Sequence, residues 1–139
     1  MNGKKDLKNN LTIMYLLDTN TIIYYLKAAL PLKAMQLLHT VVDEQPIISI
    51  ITKIELLGFN FKSIEEQIVT ETFVNASLVL PLDERVAEHT INLRKLYKIK
   101  LPDAIIAATA IASELIIVTR NTNDFSEIKQ LNFIDPHLM

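Results

Sequence analysis

Short, uninterrupted apolar runs alternate along this chain with longer segments of helical periodicity, and the alternation limits the folds open to it. The predicted strands are residues 13–17, 46–49, 78–82, 115–119 and 133–134. The predicted helices are residues 20–28, 32–44, 50–59, 62–75, 83–97 and 102–114. Strands that alternate with helices form βαβ units, in which helices cover both faces of a parallel sheet. The sequence therefore predicts an α/β fold, a three-layer α/β/α sandwich with a mainly parallel central sheet.

Length and composition fit a single domain. The chain has 139 residues, and half of them are hydrophobic, which excludes a wholly disordered chain. Three lysines, Lys4, Lys5 and Lys8, precede the first apolar run. We expect residues 1–13 to be a basic, disordered arm and residues 14–139 to be the folded domain. No run of 18 apolar residues occurs, so no membrane span is expected. The absence of cysteine excludes disulfides and fits a reducing, cytoplasmic location.

Several classes of catalytic site lose support from composition. The three histidines are far apart and lack metal-ligand spacing, and two glycines cannot build a phosphate loop or a nucleophile elbow. The net charge of −2 gives no global basic field for nucleic acid. Local positive charge at Lys100 and Arg120 is a candidate contact for a phosphate backbone. The alternative is that these side chains belong to a solvated surface.

Four carboxylates occupy unusual positions in the predicted fold. Asp18 directly follows the first strand, and Asp124 lies in the polar turn after the last long strand. Glu55 interrupts an apolar helix, and Asp103 opens an Ala-rich helix. Each has an ordinary alternative: a helix cap for Asp18, a surface position for Glu55, interaction with the helix dipole for Asp103, and a turn or cap for Asp124. Ligands gather beyond the carboxyl ends of parallel strands, where these four residues can meet.

A cluster of these carboxylates needs a counter-charge. At a separation of ~5 Å, each pair repels by about 3 kcal/mol at an effective dielectric constant near 20. The simplest remedy is a hard divalent cation, Mg²⁺ or in its place Mn²⁺, bound by carboxylate oxygens. Such an ion activates water, which suits phosphodiester hydrolysis but does not choose between RNA and DNA. The polar side chains of Asn20, Thr119 and Asn121 are candidates to orient the ligands or their waters.

Four segments carry a resemblance to a known family. In order along the chain, they are residues 16–20 (LLDTN), the helix with Thr52 and Glu55, residues 101–110 (LPDAIIAATA) and residues 118–125 (VTRNTNDF). Their order and spacing resemble those of PIN-domain ribonucleases, specifically the VapC toxins of toxin–antitoxin pairs. The resemblance covers residues 14–136, and the basic residues 1–13 lie outside it.

The resemblance implies a PIN-like fold and an Mg²⁺-dependent RNA endonuclease. Asp18, Glu55, Asp103 and Asp124 would take the positions of the family's acidic quartet, with Asp18 and Asp103 at its best-defined metal ligands. It also implies a homodimer neutralised by a cognate antitoxin, whose tail covers the active-site groove. The implied substrate is structured RNA, often a transfer RNA.

Two other functions are compatible with parts of the sequence. A haloacid-dehalogenase-like phosphatase also has Asp after its first strand, but it needs a second Asp two residues later as general acid, where this chain has Asn20. A non-catalytic PIN-like interaction module would not need all four carboxylates. Metal-dependent cleavage of RNA, lost on replacement of Asp18 or Asp103 by asparagine, separates these hypotheses.

Overall fold

A five-stranded, all-parallel sheet lies at the centre of residues 14–139, the part of the chain that this computed structural model describes. The strands are β1 (Tyr15–Leu17), β2 (Ile47–Ser49), β3 (Leu78–Leu80), β4 (Ile116–Val118) and β5 (Phe133–Ile134). Their order across the sheet is β3-β2-β1-β4-β5, and every neighbouring pair is parallel. The predicted three-layer α/β/α sandwich is confirmed. The predicted arm, residues 1–13, lies outside the described residues.

Seven helices connect or follow these strands in the described part of the chain. They are α1 (Thr19–Leu26), α2 (Leu32–Glu44), α3 (Ile50–Leu57), α4 (Ile64–Ala76), α5 (Glu84–Leu96), α6 (Leu101–Ala112) and α7 (Thr122–Phe125), followed by a 3₁₀ turn at Pro136–Leu138. Side-chain oxygens of Asp18, Ser49, Ser63 and Asp83 accept hydrogen bonds from backbone N–H groups at the starts of α1, α3, α4 and α5. The predicted cap at Asp83 is confirmed. None of the helices described for residues 14–139 has both the length and the apolar character needed to cross a membrane.

Alternate residues of each central strand pack on opposite faces of the sheet. In β1, Leu16 belongs to a core cluster with α5 and α6, whereas Leu17 belongs to a second cluster with α1, α2 and α4. Ile117 and Val118 divide between the same two clusters. The strands are therefore apolar on both sides, as expected of a parallel sheet that is covered on both faces.

Some helix boundaries differ from the sequence prediction for local reasons. The helix predicted at 20–28 ends at Leu26, because Ala28 turns into the left-handed region (φ 53°) and closes the helix. Glu114 does the same after α6 (φ 55°), so the helix predicted at 102–114 is Leu101–Ala112. The helix predicted at 62–75 begins at Ile64, because Ser63 serves as its cap.

The order of the strands creates a crevice between β1 and β4. From β1 the chain continues to β2 on one side, whereas β4 pairs on the other side of β1. A point where the strand order reverses in this way leaves a crevice at the carboxyl ends of the strands. Asp18 follows β1 at this edge, and Thr119 follows β4.

Candidate functional site

Asp18 lies in the crevice as a nearly buried carboxylate with two hydrogen-bond donors. Its side chain is only 9% exposed. One oxygen accepts a hydrogen bond from the backbone N–H of Thr19 (2.7 Å), and the other accepts one from the Thr119 hydroxyl (2.7 Å). Asp18 therefore caps α1, as the ordinary alternative proposed, and it also joins the ends of β1 and β4. The two functions do not compete, because each uses a different oxygen.

Glu55 is held at the same edge by a pair of threonine hydroxyls. The Thr19 hydroxyl donates to the Glu55 carboxylate over 2.6 Å and lies 3.0 Å from the Thr52 hydroxyl. A threonine hydroxyl carries one proton, so Thr19 donates to Glu55 and accepts from Thr52. Thr52 is buried and lies three residues before Glu55, on the same face of α3. The first turn of α1 thereby orients a carboxylate that α3 contributes.

The turn after β4 connects Asp18 to Asp124. Thr119, which donates to Asp18, accepts a hydrogen bond from the backbone N–H of Asn121 (2.9 Å). The Asn121 side-chain amide donates to the Asp124 carboxylate (3.1 Å). Asp124 lies inside the short helix α7, so it is not the cap that precedes this helix, which was one of its alternatives in the sequence analysis. The fully buried Phe125 anchors this turn in the core.

Asp103 is the carboxylate whose pKa is affected by all three of the others. It lies in the first turn of α6 and is partly buried. Burial raises the pKa of Asp103, and the negative charges of Asp18, Asp124 and Glu55 raise it further, while Lys100 opposes them. Burial likewise raises the pKa of Asp18, against the hydrogen bonds from Thr119 and Thr19, and Glu55 adds to the rise. Carboxylates from three other segments of the chain therefore act on Asp103, and Glu55 also acts on Asp18.

These raised pKa values predict how the stability of the metal-free protein depends on pH. A carboxyl whose pKa is higher in the folded state favours folding below its ordinary pKa, and this contribution disappears as the pH rises through the folded-state value. At neutral pH, ionised Asp103 therefore destabilises the fold. We expect Asp103→Asn to be more stable than the wild type at pH 7 in EDTA, with the difference shrinking as the pH falls and Asp103 is protonated. Urea unfolding at several pH values measures it, and a difference independent of pH would contradict the clustering.

The other predicted residues take different positions. Thr119 and Asn121 bond to carboxylates of the cluster, whereas Asn20 is exposed, and within residues 14–139 no hydrogen bond joins it to the cluster. Lys100 precedes α6 beside Asp103, and the Arg120 guanidinium lies 3.5 Å from the Tyr24 hydroxyl. Their contact with RNA stays a prediction.

Sequence reasoning missed the roles of the two threonines that hold Glu55. The signal for Thr52 was its spacing, because a residue three positions before Glu55 shares its helix face. Thr19 gave no comparable signal, because its contact joins segments 36 residues apart in sequence.

The cluster has the donor chemistry of a site for a hard divalent cation. Its side chains offer only oxygen, which suits Mg²⁺ and Mn²⁺. Within residues 14–139, no three acidic or histidine side chains are grouped so that they could hold one metal ion as they stand. Mg²⁺ usually takes one or two carboxylates and completes its shell with water, so it does not require such a group. Burial raises the pKa of both Asp18 and Asp103, so a positive charge beside them would stabilise their ionised forms.

Comparison with known protein families gives a match over most of the chain. The PIN domain family matches residues 15–131, which include all four carboxylates. No curated protein sequence gives a significant match. The family match decides against the haloacid-dehalogenase-like alternative.

Solved structures of toxin–antitoxin complexes contain chains with the same fold. One is DNA-bound VapBC from Salmonella typhimurium, with 30% identity, a TM-score of 0.73, and coverage of 89% of this chain and 98% of that one. A toxin–antitoxin complex from Klebsiella pneumoniae gives 31% identity, a TM-score of 0.67, and coverage of 88% and 97%. VapBC-1 from nontypeable Haemophilus influenzae gives 27% identity and a TM-score of 0.72, with coverage of 88% of this chain and 98% of that one. The chain therefore belongs to the PIN domain family, in which it is a toxin of the VapC type.

Proposed function

We propose that this chain is a divalent-metal-dependent endoribonuclease, which hydrolyses RNA phosphodiester bonds as the toxin of a toxin–antitoxin pair. The observation that carries the proposal is the clustering of Asp18, Glu55, Asp103 and Asp124, of which Asp103 is influenced by the other three. Membership of the PIN family supports nuclease chemistry. The ion is Mg²⁺, with Mn²⁺ as a substitute.

The residues of the cluster have separable roles in this proposal. Asp18 and Asp103 would hold the cation, which would supply activation of water and compensation of phosphate charge. Glu55 and Asp124 would orient water at the site, and one of these two carboxylates would accept the proton that the attacking water loses. Water oxygen then joins phosphorus, the bond to a ribose oxygen breaks, and that oxygen takes up a proton.

Two hydrogen-bonded relays position these carboxylates. Thr119, which follows β4, donates a hydrogen bond to Asp18. Thr19 donates to Glu55 and accepts from Thr52. Both relays start from buried hydroxyls, Thr119 and Thr52. These hydrogen bonds restrain the side chains of Asp18 and Glu55 without an ion, which would lower the cost of assembling a metal site.

Cleavage of RNA by the purified protein tests the proposed function. We expect cleavage of total transfer RNA with Mg²⁺ or Mn²⁺, none in EDTA, and none with Asp18→Asn. Asp43→Asn is the matched control, since it removes the same charge at the exposed end of α2. RNA cleavage by Asp18→Asn at the wild-type rate, or by the wild type in EDTA, would overturn the proposal.

Thr119→Val tests the relay to Asp18 separately from the carboxylates. The substitution preserves the side chain's shape but removes the hydroxyl that donates to Asp18 and accepts from Asn121. We expect cleavage to fall roughly 10–100-fold, the usual loss for a residue that supports a metal ligand. The loss should be partly recovered at high Mn²⁺ concentration, because weakened ion binding is its cause. Unchanged cleavage at limiting Mn²⁺ would show that the hydroxyl does not position Asp18.

The proposed partners follow from the structural relatives. The VapBC structures are complexes of a toxin with an antitoxin. We propose that this chain is neutralised by a cognate antitoxin, whose tail enters the groove at the cluster, and that it forms a homodimer. Co-expression with the neighbouring gene product, followed by sequencing of cleaved RNA ends, would identify both antitoxin and target.

A further inference from the structure

An apolar groove opens beside the carboxylate cluster and shares Glu55 with it. The groove has a volume of about 110 Å³ and lies between α1, α3 and the start of α4. Ile23, Leu26 and Leu56 line it from the helices, and Phe59 and Phe61 line it from the loop after α3. Ile23 lies one turn beyond Thr19 on α1, and Lys27 is the residue that caps the carboxyl end of this helix. The groove therefore runs away from the cluster along α1. The span from Thr19 to Lys27 is roughly 12 Å at 1.5 Å per residue.

Of the two aromatic side chains that line the groove, Phe59 is exposed and Phe61 is half-buried. Phe59 is 56% exposed, and its ring meets that of Phe61 edge to face, with centroids 6.3 Å apart. Exposing a phenylalanine ring to water is unfavourable, and an edge-to-face pair leaves one ring face open to a planar ligand. Unpaired nucleobases stack on such rings whatever their identity, because every base has a π-face.

The charged side chains that line the groove are two lysines and two glutamates. Lys27 and Lys62 contribute positive charge at its wall. Of its two acidic residues, Glu66 is engaged at the start of α4, where its carboxylate accepts a hydrogen bond from the backbone N–H of Lys62 (3.3 Å). The other, Glu55, belongs to the carboxylate cluster and accepts from Thr19. Both glutamates keep their negative charge, and the two lysines are the groups of the lining that a phosphate can contact.

We propose that this groove, named the Phe59 groove, binds an unpaired nucleotide of the substrate RNA next to the cleaved bond. The base stacks on Phe59, and Lys27 and Lys62 contact the adjoining phosphates. The inference rests on the proposed function, because it needs an RNA strand to lie across the carboxylate cluster. The nucleotide must be unpaired, since a base in a duplex cannot enter the groove.

A binding experiment tests the groove without relying on cleavage. Asp103→Asn supplies a background in which RNA is not cut, and fluorescence anisotropy measures its affinity for a short oligoadenylate and for an abasic chain with the same number of phosphates. We expect the oligoadenylate to bind roughly 5- to 100-fold more tightly than the abasic chain. Adding Phe59→Ala should remove this difference, and Phe59→Tyr should keep it. Ile64→Ala, which shortens an exposed apolar side chain outside the groove lining, is the matched control.

The outcomes separate the groove from the catalytic proposal. Equal affinity for the two ligands, or a difference that survives Phe59→Ala, would overturn the groove as a base site, whether or not the wild type cleaves RNA. If Phe59→Ala leaves RNA binding unchanged and instead weakens inhibition by the antitoxin, the groove binds the protein partner and the inference is wrong. Absence of cleavage by the wild type, with base-dependent binding retained, would count against the proposed function alone.

Discussion

Asp103→Asn is expected to abolish RNA cleavage and at the same time to stabilise the metal-free protein. Activity should fall at least about 100-fold, beyond the range for residues that only support a metal ligand. Stability should rise, because the substitution removes a charge that burial disfavours and that Asp18, Asp124 and Glu55 repel. The Asp103 side chain is partly exposed, so solvent screening limits the gain to about 1 kcal/mol, or roughly 3 °C in Tm.

Opposite effects on activity and stability distinguish a functional cluster from a structural one. A carboxylate that only supported the helix dipole at the start of α6 would destabilise the protein when neutralised, by about 0.3–1 kcal/mol. Asp43→Asn is the control, with unchanged cleavage expected. If Asp103→Asn melts below the wild type in EDTA, or retains cleavage, Asp103 is not a strained member of a metal site.

Divalent cations are expected to raise the Tm of the wild type substantially. A ligand that binds only the folded state at one hundred times its Kd adds about 2.7 kcal/mol of stability. For a domain of this size that corresponds to roughly 8 °C. Thermal unfolding with increasing Mn²⁺ measures the shift. Asp103→Asn should start from a higher Tm and gain little, so the two melting curves should change order as Mn²⁺ is added. A wild-type Tm that does not change at millimolar Mn²⁺ would contradict the binding of a divalent cation to the folded protein.

The fold was predictable from local patterns. Apolar runs of strand length alternate with helical periodicity, and an all-parallel sheet is the arrangement that buries both sides of residues such as Leu16 and Leu17. Because Asp18 directly follows such a run, its place at the carboxyl edge of the sheet followed from the sequence. Helix ends were less predictable, because Ala28 adopts a left-handed conformation that its type does not signal.

The charged residues of the candidate site were predictable from the sequence, but the hydrogen bonds between them and their neighbours were not. Carboxylates in apolar or strand-end positions stand out, because an unpaired charge there is costly. The Thr19–Glu55 contact depends on how α1 packs against α3, and no local pattern encodes that packing. Asn20 illustrates the converse. Its polarity and its place beside Asp18 favoured a contact with the cluster, yet α1 turns its side chain to the surface.

Paramagnetic broadening by Mn²⁺ tests the central claim most directly, because it locates the ion. Backbone amide signals of ¹⁵N-labelled protein should broaden first at Asp18, Glu55, Asp103 and Asp124 when Mn²⁺ is added below one equivalent. The same addition to Asp103→Asn should leave these signals sharp. Broadening centred on other acidic residues, such as Glu65 and Glu71 of α4, or no selective broadening at all, would show that the four carboxylates do not form a shared metal site.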